Sequence, residues 1–162
     1  MTKLASLLVL IALTCSGFST IKGEECSHKR SRPKIQVAII LDTGDSTRGL
    51  IDQLKTEIWN IAVELSKAQV DGMSAEVEFA LLEYGNGSLL AMYDYTRKRL
   101  HFTTSLDDLS DELSSLKPVA GPKYCGTVIQ NAVKGLEWDV SDKVLKIIYI
   151  AASGPFNLGN VS

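Results

Sequence analysis

The residues best suited to chemistry are Asp42, Asp45 and Ser46, which lie within five positions of one another in a polar loop. Carboxylate and hydroxyl oxygens are hard ligands of the kind that Mg²⁺ and Ca²⁺ prefer, so this loop is a candidate metal site. Asp and Ser also favour the N-cap position of a helix, where their side-chain oxygens accept backbone N–H groups. From spacing alone the helix cap is the favoured interpretation, and the metal site is the alternative.

The elements that would position this loop are a buried strand before it and a long helix after it. Residues 35–41 form a nearly continuous apolar run rich in β-branched side chains, typical of a strand covered on both faces in a parallel sheet. After the loop, apolar residues recur every three or four positions, which predicts an amphipathic helix. Ser46 or Thr47 would cap this helix and Asp71-Gly72 would end it. Its apolar face would comprise Leu50, Leu54, Ile58, Ile61 and Leu65.

The rest of the chain alternates between predicted strands and helices. In order, the patterns predict a strand, a tight turn, a returning antiparallel strand, two amphipathic helices and a final buried strand. They fall at 76–84, Asn86-Gly87, 89–95, 105–116, 128–138 and 143–152. The third helix would turn Ile129, Ala132, Val133 and Leu136 inward, and Ser105 with Asp108 has the spacing of a capping box. This order predicts an α/β fold, with helices on both faces of a mostly parallel sheet and one antiparallel edge strand.

Three loops would then meet at the carboxyl ends of the strands, where open α/β sheets bind their ligands. They are residues 42–47, 117–127 and 152–159. The apolar strand, the Asp42-x-Gly44-x-Ser46 loop and the long helix resemble the start of a von Willebrand factor A (VWA) domain, which opens with D-x-S-x-S. The similarity extends over residues 34–162, and the order of the elements carries much of it. It implies a three-layer, Rossmann-like α-β-α VWA fold that usually binds other proteins and does not catalyse.

The resemblance also implies a metal-ion-dependent adhesion site, in which a metal ion offers an open position to an acidic residue of the partner. Asp42 matches the aspartate of the motif and Ser46 matches its second serine. Thr127 is preferred over Cys125 for the family threonine. We therefore expect Asp42, Ser46 and Thr127 as the metal ligands, with Gly44 and Asp45 beside them in the ligand-binding loop.

This implied site departs from the family pattern at two positions. Gly44 replaces the first serine and offers no side-chain ligand, and the late aspartate falls at Ala152 or Ser153. Because Mg²⁺ usually takes about six well-placed oxygens, we expect a degenerate site that binds Mg²⁺ or Ca²⁺ weakly or not at all. We also expect a protein ligand and no enzymatic activity.

The resemblance implies that the C-terminal part of the family domain is absent, since that domain continues beyond the strand at 143–152. The strand would be left as an apolar sheet edge, which invites association. A missing C-terminal part or a partner chain is expected to cover it.

The N-terminus is predicted to be an export signal. Lys3 precedes the apolar run 4–14, which is too short to span a bilayer and fits the apolar region of a signal peptide. We expect a signal peptide at 1–23, a charged linker at 24–34 and an incomplete VWA-like domain at 35–162. The mature chain would lack a transmembrane segment and would be secreted, periplasmic or held at the cell surface. Whether Cys26 and Cys125 pair stays open.

Composition supports a globular domain and excludes one class of partner. With 45% hydrophobic and 22% charged residues, the chain is globular in type. The formal net charge is -2, and it becomes -4 when Lys3 and Lys22 leave with residues 1–23. No global basic field is therefore available to recruit nucleic acid.

One enzyme class competes with the binding module. Asp42-Thr43-Gly44 is also the D-T-G signature of aspartic proteases, which need two carboxylates sharing a proton. A single copy would have to act as a homodimer. Those proteases are β-rich after D-T-G, whereas residues 48–70 have a helical pattern, so this activity is the alternative to a protein-binding function.

Overall fold

The computed structural model describes residues 32–153 and 158–159. The predicted signal peptide, most of the linker and Cys26 lie outside the described residues. The strands are β1 (Lys34–Asp42), β2 (Gln69–Val70), β3 (Met73–Ser74), β4 (Glu76–Tyr84), β5 (Thr96–Thr103) and β6 (Leu145–Ala151). The helices are α1 (Ile51–Ser66), α2 (Leu106–Ser115) and α3 (Cys125–Gly135), with 3₁₀ turns at Asp45–Thr47 and Ala91–Tyr93.

Four strands form one mixed sheet in the order β5-β4-β1-β6. Strand β1 pairs in parallel with both β4 and β6, and β5 pairs with β4 in antiparallel orientation. The predicted mostly parallel sheet with one antiparallel edge strand is confirmed. Parallel pairing brings the carboxyl ends of β1, β4 and β6 to the same end of the sheet, and the loops that follow these strands meet there.

The sheet is covered on both faces, as the apolar run of β1 predicted. Val37, Ile39 and Leu41 pack on one face against α1 and α2, in a cluster with Ile58 and Leu109. The alternate residues of β1 and β4 pack on the other face against Val128, Ala132 and Leu136 of the α3 region. Because successive strand residues point to opposite faces, a strand covered by helices on both sides must be apolar throughout.

Helix α1 confirms the predicted helix but not its predicted ends. Leu50 occupies the N-cap position without a side-chain cap, because Ser46 and Thr47 belong to the preceding 3₁₀ turn. The helix ends at Ser66, before Asp71-Gly72. Those two residues, at φ values of 51° and 75°, form the turn between β2 and β3. Both predicted ends were therefore wrong.

Helix α2 confirms its predicted cap, since the Ser105 hydroxyl accepts the Asp108 backbone N–H at 3.1 Å. Helix α3 begins at Cys125, three residues earlier than predicted, and ends at Gly135. Val133, which was predicted to face the core, is 54% exposed.

The predicted strand at 89–95 was wrong. This segment contains the 3₁₀ turn Ala91–Tyr93, and the positive φ values of Asp94 and Tyr95 are incompatible with a strand. The antiparallel strand is β5, which starts at Thr96. The connection after β4 is consequently a long surface loop, and Asn86-Gly87 is not a two-residue hairpin turn.

The two edges of the sheet differ in character. Edge strand β5 carries Arg97, Lys98 and Arg99, and charged side chains oppose pairing with another strand. Edge strand β6 exposes Leu145, Ile148 and Tyr149 at 55%, 36% and 38%. Within the described ranges no strand pairs with the outer side of β6, which agrees with the predicted apolar edge.

Helix α1 follows directly after the D-T-G residues and their 3₁₀ turn. This α/β arrangement contradicts the β-rich fold that the aspartic protease alternative requires. No helix in the described part of the chain is long and apolar enough to cross a membrane.

Candidate functional site

The carboxylate of Asp42 lies at the carboxyl end of β1 and is fully buried. Its Oδ1 accepts the backbone N–H of Gly44 at 2.8 Å. Its Oδ2 accepts the backbone N–H of Ser153 at 3.2 Å and also the Ser153 hydroxyl. A buried carboxylate needs such donors, because burying an unpaired charge is strongly unfavourable.

The positive charge beside Asp42 comes from Lys123, in the loop before α3. Its Nζ lies 2.7 Å from Asp42 Oδ2 and 2.6 Å from Ser153 Oγ, and it also contacts Ser46 Oγ. An ammonium group has three N–H donors and no acceptor, and these three oxygens match its donors in number. We call Asp42, Ser46, Lys123 and Ser153 the strand-end cluster.

Two glycines leave the space that the Lys123 side chain fills. A Cβ on Gly44 would lie 2.7 Å from Lys123 Cε. A Cβ on Gly85 would lie 3.2 Å from Lys123 Cγ, and Gly85 has a positive φ of 76° that favours glycine. The aliphatic part of the lysine is thus in close contact with the backbone on the way to Asp42.

Backbone contacts hold the loop that carries Lys123 against the ends of β1 and β4. The Val119 N–H donates to Thr43 O at 3.0 Å, and the Gly87 N–H donates to Val119 O at 3.3 Å. A Cβ on Gly121 would lie 2.4 Å from Gly87 N. The close approach of two glycines therefore fixes the path of the loop two residues before the lysine.

Asn86, which follows β4, also binds the loop that carries Lys123. It is 4% exposed, and its Nδ2 donates to Lys117 O at 3.0 Å. Its Oδ1 accepts the Ser88 backbone N–H at 3.0 Å. Since both ends of the amide are bound within the protein, Asn86 has a structural role.

Of the site residues expected from the sequence, Asp42 and Ser46 come together at Lys123, and Gly44 lies beneath it. Asp45 points away: its carboxylate accepts the Arg48 Nε–H at 2.6 Å on the surface. Thr127 is buried in the first turn of α3, and no hydrogen bond joins its hydroxyl to Asp42, Ser46 or Lys123. Metal ligation by Asp42, Ser46 and Thr127 stays a prediction.

Sequence reasoning did not find Lys123, and it noted Ser153 only as a position without the expected aspartate. The available signal was a pair of changes: glycine replaces the first serine of the D-x-S-x-S pattern, and a lysine stands just before α3. Neither Gly44 nor Lys123 indicates this site by itself. Only the folded structure shows that the lysine side chain lies next to the position where the motif serine is missing.

Tyr84 and Cys125 lie behind the strand-end cluster in the core. Burial, followed by the negative charge of Asp42, raises the pKa of the Tyr84 phenol. Burial likewise raises the pKa of the Cys125 thiol, against a smaller opposite effect of its hydrogen bond with Tyr84. Neither a phenol nor a thiol can carry a positive charge, so Lys123 supplies the charge that balances Asp42.

A divalent metal ion does not fit the residues as they are placed. The oxygens of Asp42, Ser46 and Ser153 already surround an ammonium group, whereas Mg²⁺ takes about six oxygens at about 2.0–2.1 Å. The positive charge of Lys123 would also repel the ion. In the part of the chain that the structure describes, no group of three or more His, Cys, Asp or Glu side chains could hold a metal.

An open groove with a volume of about 730 Å³ lies at the same end of the sheet. It lies between the loop after β4, strand β5 and helix α3. Leu90, Met92 and Tyr93 line it and are 61%, 75% and 59% exposed. Its charged lining comprises three cationic side chains, Arg97, Lys98 and Lys134, and the single acid Asp94.

No protein-family model matches the sequence, and no curated protein matches it. Solved structures do match in fold. Proximal thread matrix protein 1 from the mussel byssus aligns with a TM-score of 0.60 and 18% identity, over 81% of this chain and 31% of that chain. One structure of the same mussel protein is described as having a zinc-occupied MIDAS motif, which is the metal-ion-dependent adhesion site of the family.

Two other proteins also match in fold. The VWA domain of SpRpn10 aligns with a TM-score of 0.56 and 11% identity, over 76% of this chain and 62% of that chain. The pilus adhesin SpaC from Lactobacillus rhamnosus GG aligns with a TM-score of 0.56 and 12% identity, over 75% of this chain and 14% of that chain. This chain therefore spans about a third of the mussel protein and a smaller part of the adhesin.

Proposed function

Because this chain has a von Willebrand factor A-like fold, we propose that it is an exported protein-binding module without catalytic activity. The observation that carries the proposal is the exposed apolar surface formed by Leu90, Met92 and Tyr93 beside the groove. Apolar side chains gathered on a surface and bordered by polar residues are typical of protein interaction sites. This surface lies at the carboxyl end of the sheet, where α/β folds bind their ligands.

The groove favours an apolar peptide segment flanked by acidic residues. Leu82 and Leu89 line the groove together with the three exposed apolar side chains. Of the cationic residues at its border, Arg97 pairs with Glu83 at 2.7 Å and Lys98 pairs with Glu137 at 3.7 Å, whereas Lys134 has no ion pair among the described residues. Lys134 is therefore the cation at this border that is complementary to an acidic side chain of a partner.

The strand-end cluster argues against catalysis by Asp42. Asp42 is paired with Lys123 and hydrogen-bonded to Ser153 and Gly44. A general base must reach a proton of its substrate, and this carboxylate is 0% exposed. Likeness in fold to a pilus adhesin agrees with a binding role. We further propose that the partner is recognised without bound Mg²⁺ or Ca²⁺.

Export is the second part of the proposal. It rests on the signal-peptide pattern of residues 1–23, with the linker 24–34 between it and the domain. Expression with its own N-terminus, followed by N-terminal sequencing of the exported chain, tests this point. We expect a mature start between Gly17 and Gly23, and retention of residues 1–23 on the exported chain would contradict it.

The binding proposal is tested with the full chain and two matched variants. The full chain is used to capture proteins from the extracellular fraction of the producing organism, and these are identified and purified. The Kd of each is then measured with the wild type, with Met92→Ser/Tyr93→Ser and with Val140→Ser. Val140 is fully exposed and lies beyond α3, away from the groove. We expect saturable binding that weakens at least about tenfold in the double variant and is unchanged in Val140→Ser.

Two results would overturn this proposal: no partner that binds saturably, or a partner that binds the double variant as tightly as the wild type. A partner that also covers the apolar edge of β6, as the sequence led us to expect, would be identified in the same assay by adding Tyr149→Lys.

A further inference from the structure

We propose that Lys123 is a permanent internal cation, which occupies the position of the metal ion in metal-binding domains of this fold. It closes the strand-end cluster both to divalent ions and to acidic groups of a partner. This inference concerns the strand-end cluster alone and does not depend on the partner-binding groove.

The charges and contacts of the strand-end cluster support this role. The Asp42 carboxylate is 0% exposed and the Lys123 side chain is 17% exposed, so the pair is largely removed from water. Ser46 Oγ and Ser153 Oγ lie 2.7 Å apart, and both contact the ammonium. The oxygens that could ligate a cation therefore converge on a cation that the chain itself supplies.

The space around Lys123 gives independent support. A serine at position 44 would place its Cβ 2.7 Å from Lys123 Cε and 2.9 Å from Asp42 Oδ1. Real Cβ atoms do not approach other atoms so closely, so a serine at position 44 would require the Lys123 or Asp42 side chain to shift. The glycine that removes one expected ligand is thus the residue that admits the ammonium.

The ammonium cannot reproduce the open position of a metal ion. A metal can add a further ligand from a partner, whereas the three N–H donors of Lys123 are matched by Asp42, Ser46 and Ser153. A carboxylate of a partner would have to displace one of these oxygens. Lys123 consequently joins the loops after β1 and β6 to the loop before α3.

The test compares the full-length wild type with Lys123→Ala and with Lys117→Ala, a matched control in the same exposed loop. Thermal unfolding is followed in EDTA and in millimolar MnCl₂. We expect the midpoints of the wild type and Lys117→Ala to be the same in both solutions. Lys123→Ala leaves Asp42 buried without its partner, so its midpoint should fall by about 10 °C in EDTA and rise again in MnCl₂.

Stabilisation of the wild type by Mn²⁺ would overturn the proposal, and so would a Lys123→Ala variant that matches the wild type and ignores the metal. If Lys123→Ala does not fold, the wild type alone decides. Mn²⁺ bound in the strand-end cluster would selectively broaden the amide NMR signals of Gly44 and Ser153. We expect these signals to keep their intensity, and selective loss of both would overturn the proposal.

Discussion

The Lys123 side chain packs directly against Gly44: a Cβ on the glycine would lie 2.7 Å from Cε of the lysine. The glycine belongs to the loop after β1 and the lysine to the loop before α3. Their contact explains why a chain with a VWA-like fold has glycine where the family motif has serine. It also makes the two positions energetically dependent on each other, which a set of substitutions can measure.

Gly44→Ser is expected to destabilise the protein by about 1–3 kcal/mol, the usual effect of overpacking. The new Cβ would lie 2.7 Å from Lys123 Cε, 2.9 Å from Asp42 Oδ1 and 3.0 Å from the backbone oxygen of Gly85, so the side chains that form the ion pair would have to shift. Urea unfolding measures the free energy. Gly49→Ser is the control, because a Cβ on Gly49 meets nothing within 4 Å.

The same experiment includes the double variant Gly44→Ser/Lys123→Ala. Since both substitutions act on one contact, the second should add less destabilisation after the first than it does alone. Additive effects of the two substitutions would contradict the shared space.

Asp42→Asn is expected to destabilise the protein by about 3–5 kcal/mol, because it leaves the Lys123 ammonium without its buried counter-charge. Asp45→Asn is the control: its pair with Arg48 is exposed, and such pairs contribute about 0–1 kcal/mol. Chemical unfolding of both variants against the wild type gives the two values. Equal small effects would show that the Asp42–Lys123 pair is not a structural contact.

Cys125 is expected to react slowly with alkylating reagents in the folded protein. The residue is 1% exposed, and burial raises the pKa of its thiol, so little thiolate is present at pH 8. Under reducing conditions, peptide mapping after timed iodoacetamide treatment should show slow labelling that becomes fast in urea. Rapid labelling of Cys125 without denaturant would contradict its placement in the core.

Asp139 is expected to contribute to acid sensitivity. Hydrogen bonding from the Ser141 backbone N–H, at 2.9 Å, and then from Lys34 holds the pKa of Asp139 below its ordinary value of 3.8. A group with a lowered pKa in the folded state stabilises it above its unfolded pKa and loses that effect as the pH falls through the folded value. Asp139→Asn should therefore flatten the fall of the unfolding midpoint below about pH 4.

This acid dependence is measured by thermal unfolding from pH 5 to pH 2. Asp111→Asn, on the exposed surface of α2, is the control and should keep the wild-type profile. An Asp139→Asn profile that falls as steeply as the wild type would contradict this contribution.

The edge of β6 is expected to cause self-association at high concentration, since exposed apolar edge strands pair readily. Leu145→Lys/Tyr149→Lys places charges at two exposed positions of this strand, and Val140→Lys adds a charge away from the sheet edge. Sedimentation velocity at increasing concentration should show association in the wild type and in Val140→Lys, and less in the double variant. Equal association of all three would place the contact elsewhere.

The sequence alone determined the architecture, because local patterns record which faces of an element are covered. The apolar run of β1 indicated a strand covered on both sides, and helices do pack on both faces of this strand. Helical spacing predicted α1, and the Ser105–Asp108 spacing predicted the cap of α2. These features depend on residues a few positions apart, whose relationship the backbone geometry fixes.

Only the tertiary structure decided the chemistry of the strand-end cluster. Asp42 and Ser46 were identifiable as polar residues after a strand, but their partner Lys123 lies 81 positions beyond Asp42. Its side chain reaches them because parallel pairing aligns the ends of β1 and β6 and because the Gly87–Gly121 contact fixes the loop before α3. A lysine side chain in a loop can adopt many conformations. In this fold the backbone at Gly44 and Gly85 packs along the Lys123 side chain, whose ammonium contacts the buried Asp42 carboxylate.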